Sequence, residues 1–589
     1  MLDSQRSNRS RLSSRVLNTS FVVAIAVASI SSVAWAGGVH TALSEFDACE
    51  PLRDGRVVAG SGGGLVILDA RGREERRLTA LDGLPGTKVH ALAVSGDALW
   101  IGTDLGLAKV SIASGLVDKT SIVKTKPIRD ILIEKDAIVV ATWGQGLLRI
   151  TDGKAQSIHL GTTPRERRVT AVERHEGDLW WTTAGAGLWH LGPDNAGIQS
   201  LDVARNTVLW ALTSHGGTLW IGGESGAMRL GTPHTTSRSI RGFSVIDGEV
   251  HAASFGEGLQ PIGTAKRITS PSDRFARSVG QKNKVACVGT QDALWIRRGS
   301  KWKSARLEES LPANDIAAFV SDGKRSFIGT FDQGVAELGS DGSIRTVHKS
   351  GDPHVNALAI DAKSGALWIG SSTGLTRYHS GQTTHFNKAT GLPSDHVMSL
   401  DALRTGGVLV GTATGAARVE DGLVHAVGGK GRLLTGNVWA VAQGHDGADW
   451  LGTTRGVFHI RGSVVTRYRV ASGELPDDWV MALAVADDGI FVGTYKAGVI
   501  RLVMSGDEVV AKPLGEGWIN PSGLHWDGTT LRAATMYGAF RGDGVHPEWQ
   551  STTQGLGRDT TAFQPTASGD EWIVTRRGLE RRTYASESK

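Results

Sequence analysis

A short motif that returns about every forty residues constrains the fold of this 589-residue chain more than any other feature. It is clearest at Leu99–Val110 (LWIGTDLGLAKV) and recurs as LWIGGESGAMRL from Leu219, LWIGSSTGLTRY from Leu367, VLVGTATGAARV from Val408 and IFVGTYKAGVIRL from Ile490. The last glycine of each loop marks the series: Gly64, Gly106, Gly146, Gly187, Gly226, Gly258, a degenerate copy at Ala293, then Gly334, Gly374, Gly415, Gly456, Gly498, Gly538 and Gly578. The steps are 39–42 residues, except for 32 and 35 leading into Gly258 and Ala293, and they define fourteen units. A fixed period of this length is the mark of a repeat architecture, in which each unit buries its apolar face only against its neighbours.

Each unit reads as four short strands. Asp-Gly, Gly-Asp or Gly-Gly pairs such as Gly96-Asp97, Gly216-Gly217 and Asp488-Gly489 precede the Leu-Trp segment, and such pairs favour the positive φ of tight hairpins. Strand a (Val89–Val94), strand b (Leu99–Thr103), strand c (Leu107–Val110) and a less regular strand d then describe one propeller blade. Trp100, Trp180, Trp220, Trp368, Trp450 and Trp572 share one position of strand b, where a large ring fills the wedge between adjacent blades. The marker glycine supplies a positive-φ bend into strand c. Propellers close with about 4–8 blades, so fourteen units divide into two rings. The expected fold is all-β: two tandem seven-bladed β-propellers of fourteen four-stranded blades, at 38–309 and 310–585, with the junction near Glu308–Leu311. Length agrees, because single cores stop growing near roughly 250–300 residues, and 78 glycines against 16 prolines suit many short strands joined by tight turns.

The Leu-Trp-Ile-Gly-Thr pattern, followed by Gly-Leu and led by Gly-Leu-Pro, resembles the two-component regulator propeller repeat. The lead-in stands as GLPGTKV at Gly83 and GLPSDHV at Gly391, and altered as SLPANDI at Ser310 and ELPDDWV at Glu474. The resemblance covers nearly the whole chain beyond the leader. It implies paired seven-bladed propellers of the kind that form the periplasmic ligand-sensing part of hybrid histidine kinases, often sensing glycans. The sequence departs from such sensors in ending just after the last blade, so the resemblance implies a free-standing ligand-binding, sensor or interaction module linked to two-component signalling.

Residues 1–36 read as a secretory signal peptide. Arg6, Arg9, Arg11 and Arg15 precede an uncharged run from Phe21 to the Ala34-Trp35-Ala36 cleavage pattern. That run is shorter than the roughly 20 apolar residues a membrane span needs. The expected location is therefore periplasmic or secreted, without stable membrane insertion once the leader is removed. The leader's four arginines against one aspartate account for most of the net charge of +5. With no long Lys/Arg run elsewhere, nucleic acid is not an expected partner.

Catalytic motifs are sparse. Gly370-Ser371-Ser372-Thr373-Gly374 matches G-x-S-x-G, but a nucleophile elbow joins a strand to a helix, and this loop joins two strands. The glycines at 60–64 lead into a strand and offer a phosphate no helix end. HExxH and the P-loop are missing from the sequence. No catalytic residue, metal site or cofactor is assigned. The alternative is a two-propeller glycoside hydrolase working in the cleft between rings, which needs two carboxylates about 5–10 Å apart. Asp104, Glu224, Glu257, Asp332 and Asp352 lie on loops, but sequence does not pair them, and the Asp-box pattern of propeller glycosidases is missing.

Two expectations concern particular residues. Cys49 and Cys287, the only cysteines, fall in strand a of the first unit and strand b of the seventh, at matching heights, and are expected to form a disulfide if those units are neighbours. The b–c loops carry aromatics at one matching place, Trp143, Phe255, Phe331 and Tyr495, with Tyr537 one residue later. With Gln145, Glu257, Asp332, Gln333 and Lys496 beside them, these rings form the candidate site for a small ligand, a glycan or a protein partner.

Overall fold

The computed structural model describes residues 38–583 apart from 193–196, 202, 205, 233–237, 263–270, 272, 308–310, 340–342, 349–351, 429–435, 506–507, 516, 547–548, 552–555, 557 and 567–568. The signal-peptide reading, and most of the junction at 308–311, fall outside the described residues. Within them the chain is all-β, with fourteen antiparallel sheets joined by loops and single 3-10 turns. No helix among the described residues is long and apolar enough to cross a membrane.

The sheets follow the repeat. Twelve are four-stranded, including 89–124 (second sheet) and 438–468 (eleventh). Two depart from expectation: the fifth (209–229) and sixth (239–261) have three strands among the described residues. All thirteen marker glycines have φ between 74° and 148°, the bend that other residues resist.

The motif's small residues have separate tasks. The threonine hydroxyl that ends strand b donates to the marker carbonyl, as Thr103 to Gly106 (3.0 Å) and Thr412 to Gly415 (2.7 Å), and accepts a loop N–H, as from Leu105 (3.2 Å). One side chain thus holds the b–c turn shut. The glycine before it marks where the next sheet arrives: a Cβ on Gly102 would collide with Ile128 of the third sheet, and one on Gly370 with Val397 of the tenth. The tryptophans fill the space beside this contact. Trp180, Trp220, Trp368 and Trp450 are buried in clusters that each draw on two successive sheets, whereas Trp100 is half-buried with Lys109 lying over its ring. The lead-in leucines Leu84, Leu392 and Leu475 enter the same clusters.

Within the first seven sheets, and again within the last seven, each sheet's first strand packs on that of the next, and each series turns back on itself. The seventh sheet (276–304) packs on the first (48–78), and the fourteenth (560–582) on the eighth (316–348). Ser278 donates to the Phe46 carbonyl (2.8 Å) and Thr561 to that of Ile316 (2.9 Å). The first closure is also covalent: Cys49 and Cys287 form the disulfide, their Cα atoms 6.2 Å apart. At the second, Gly38–His40 pairs with Gly578–Arg582 as the outer strand of the fourteenth sheet. The sequence reading counted these residues with the first seven units. Pairing prevails because the last unit has only three strands of its own, so the edge of Gly578–Arg582 stands open to another strand.

Candidate functional site

Thirteen of the fourteen first strands carry the same irregularity. Their pairing slips by one residue or more just after the first residue, as between Val89 and Ala91 or Val438 and Ala440. A β-bulge releases its extra residue from the pleat and re-aims the side chain, a device common beside binding sites. The bulged residues are His90, Arg129, Thr170, Trp210, Arg241 and Arg277 in the first seven sheets, beside Asp47 just ahead of the first strand. In the last seven they are Ala317, Asn356, Met398, Trp439, Met481, Asn520 to Gly523, and Thr561.

The two sets have opposite chemistry. In the first, Asp47 is gripped by Arg277 (Nη2 to Oδ1, 2.6 Å) and by His90 (Nδ1 to Oδ2, 2.8 Å), while Glu45 meets Lys88 (2.5 Å). Burial alone would raise the Asp47 carboxyl, but the His90 hydrogen bond and the Arg277 charge outweigh it and hold the group far below the ordinary range. Burial lowers the pKa of His90. Arg129 Nη1 is 3.3 Å from the same His90 Nδ1. One nitrogen cannot donate to Asp47 and accept from Arg129, so the shorter contact fixes the tautomer and leaves Arg129 without a good acceptor.

Aromatic rings complete this cluster. Trp143 and Trp210 lie parallel (2° between planes, centroids 6.2 Å apart). Arg129 and Arg168 sit over Trp143 at 5.0 and 5.5 Å, and Arg241 lies 4.4 Å from Trp210 and 5.6 Å from Phe255. Such guanidinium–ring contacts strengthen as water is excluded. Burial depresses the Arg129 and Arg241 pKa values; the Arg277 charge adds to the effect and the Asp47 carboxylate opposes it.

The bulged residues of the last seven sheets are neutral. Ala317, Asn356, Met398, Trp439, Asn520 and Thr561 line a 390 Å³ cavity together with Phe331, His396 and Arg576, the last paired with Asp315. Asn356 and Asn520 donate to the Val397 and Thr560 carbonyls (2.8 and 2.6 Å), so these side chains also join sheets. A second space of 470 Å³ runs along the same first strands and includes Asp401, whose carboxyl burial pushes up to about 6.

A third space, 360 Å³, lies between the two sets of sheets and is lined by Glu45, Lys88, Asp104, Asp332, Arg576 and Arg577 among others. Asp104 is paired with Arg577 (2.9 Å), and Asp315 with Arg576 (2.9 Å). Asp104 and Asp332 of the sequence-level carboxylates therefore share this cleft, whereas Glu224, Glu257 and Asp352 do not line it. Glu257 faces Arg238 (3.7 Å). Ser372, in the loop that mimics a nucleophile elbow, donates to Asp352 (2.5 Å), which also meets His354 (2.8 Å). The serine therefore bonds the carboxylate and not the imidazole, unlike the serine–histidine pair of a hydrolase elbow.

The loop aromatics separate into three groups. Trp143 and Phe255 join the cationic cluster. Phe331 lines the 390 Å³ cavity edge-on to His354. Tyr495 stacks on Trp479 (4.6 Å) with Trp518 at its edge (5.0 Å), and Tyr537 is 57% exposed. Of their neighbours, Gln145 accepts from the Lys126 N–H (2.9 Å), Gln333 and Lys496 brace their own loops through backbone N–H groups, and Asp332 turns to the cleft. Arg129, Arg168, Trp210, Arg241 and Trp439 escaped the sequence reading. Among the described residues no group of three or more His, Cys, Asp or Glu is placed to hold a metal ion.

No family model matches the chain, and no curated protein matches it. Among solved structures, it is similar to extracellular domains of two-component systems from B. thetaiotaomicron. One is 15% identical, covering 94% of this chain and 83% of that one at a TM-score of 0.40; another is 16% identical, covering 92% and 81% at 0.39. An ancestral GH74 enzyme is 12% identical and covers 93% of this chain and 98% of its own at a TM-score of 0.61, which shows a shared fold.

Proposed function

We propose that the protein is an exported binding module, a ligand sensor or interaction platform, built from two tandem seven-bladed propellers, one at 41–309 and one at 310–585 whose last blade takes Gly38–His40 as its outer strand. The ligand is engaged where the bulged residues converge. One observation carries this reading: both convergence points present aromatic rings and indole N–H donors, at Trp210 and Trp439, that are buried without a hydrogen-bond partner. Buried donors are almost always satisfied, so an unpaired one at each convergence point is suited to an incoming acceptor. A glycan, with ring faces to stack and hydroxyls to bond, has that chemistry. A link to two-component signalling is part of the same proposal.

Hydrolysis in the cleft has less support. Glycoside cleavage needs two carboxylates available as acid and as nucleophile or base, and in the cleft Glu45, Asp104 and Asp315 are each held by a cation, which leaves Asp332 alone. The binding reading is tested with Trp143→Ala and Tyr495→Ala, one in each propeller, in an oligosaccharide-binding assay with melting measured alongside. Loss of binding at an unchanged melting temperature supports it. Unchanged binding with a lowered melting temperature shows that these rings serve the fold alone.

A further inference from the structure

Resting on the proposal of a binding module, we infer that the Trp143–Trp210 cluster of the first seven sheets is an oxyanion site, recognising a carboxylate or sulfate group borne on a sugar. Charge supports it first. Of the five cations gathered here, Lys88 and Arg277 are spent on Glu45 and Asp47. Arg129, Arg168 and Arg241 have no carboxylate within ion-pair distance among the described residues. Arg168 and Arg241 make no side-chain hydrogen bond there, and Arg129 Nε is buried and unpaired. Two further carboxylates nearby are engaged elsewhere: Glu224 accepts from the Val208 N–H (3.4 Å) and Asp104 pairs with Arg577 (2.9 Å).

Geometry supports it second. Contact with the Trp143 and Trp210 rings holds these guanidinium groups in place, and a guanidinium so held receives a planar carboxylate or a sulfate through paired hydrogen bonds. The unpaired Trp210 indole N–H adds a neutral donor. Cations left unneutralised around half-buried rings are costly in an empty site, and an anionic ligand removes that cost. In the cavity of the last seven sheets the lining guanidinium, Arg576, is already paired with Asp315 (2.9 Å).

The test is titration calorimetry on the full exported protein with inorganic sulfate, trigalacturonate, a sulfated disaccharide and neutral maltotriose. Sulfate and at least one anionic sugar bind and compete, more weakly as sodium chloride rises. Arg168→Gln and Arg241→Gln each lower affinity about ten- to hundredfold, the value of a charge-assisted hydrogen bond, while Lys154→Gln, which removes a cation from an exposed outer strand, leaves it unchanged. Preference for trigalacturonate assigns carboxylate; preference for the sulfated disaccharide assigns sulfate. Absence of binding by every anionic probe at millimolar concentration overturns the inference, as does binding that both arginine variants leave intact. Maltotriose bound through Trp143 and indifferent to the arginines overturns it while the binding-module reading stands.

Discussion

Replacing both Cys49 and Cys287 by alanine tests how the first seven sheets are held closed. The disulfide bridges residues 238 apart in sequence, and the chain-entropy relation assigns a loop of that length roughly 5 kcal/mol of denatured-state destabilisation. Measured disulfides usually return about 2–4 kcal/mol. The lower figure applies here, because Ser278 to Phe46 and the packing of Ala276–Lys282 on Ala48–Pro51 close the same seam without the bond. For a unit of roughly 250 residues, 1 kcal/mol moves the melting temperature by about 2–4 °C, so the double variant should melt about 5–15 °C lower. Calorimetry is the assay, with thiol counting on the denatured wild type. Only the transition of the first seven sheets should move. Equal free-thiol counts before and after reduction, or coincident melting of variant and wild type, would refute the reasoning.

Further outcomes follow from other contacts. Gly102→Val should cost about 1–3 kcal/mol in urea unfolding, since its Cβ meets Ile128 where the third sheet seats; an unchanged midpoint contradicts that. Burial raises the Glu50 carboxyl to about 7, with Lys282 opposing. The native state thus holds this proton more tightly than the unfolded chain, and the stability it lends below about pH 4 is lost as pH rises towards 7. Glu50→Gln should therefore gain stability relative to wild type at pH 8 compared with pH 4.5, and a difference independent of pH would count against the assignment. Removing residues 38–40 should speed hydrogen exchange in Gly578–Arg582, which loses its outer partner; unchanged protection there would show the strand to be dispensable.

Much of the fold was legible because the repeat's residues act locally. Thr103 and Gly106 shape one turn, and Gly102 and Trp100 shape one contact with a neighbouring sheet, so the same letters recur wherever the same geometry does. The disulfide followed from that register once the seventh sheet met the first. The strand at Gly38–His40 did not, since three residues carry no period and their partner lies more than five hundred residues away. The site was half legible. Trp143 and Phe331 stood out as rings in an otherwise polar loop. Arg129, Trp210, Arg241 and Trp439 occupy one equivalent position, the residue after the first of each first strand, but their side chains share no chemistry, so recurrence of identity could not mark them. The signal was positional, and only the bulge gave it meaning.

The most direct test incubates the exported protein with oligosaccharides, neutral and acidic, and analyses both the complexes and the recovered sugars by mass spectrometry. The account predicts at least one sugar bound by wild type, recovered intact, and lost with Trp143→Ala combined with Arg241→Gln. Shortened sugar products that disappear with Asp104→Asn or Asp332→Asn would contradict it and place the chemistry in the cleft.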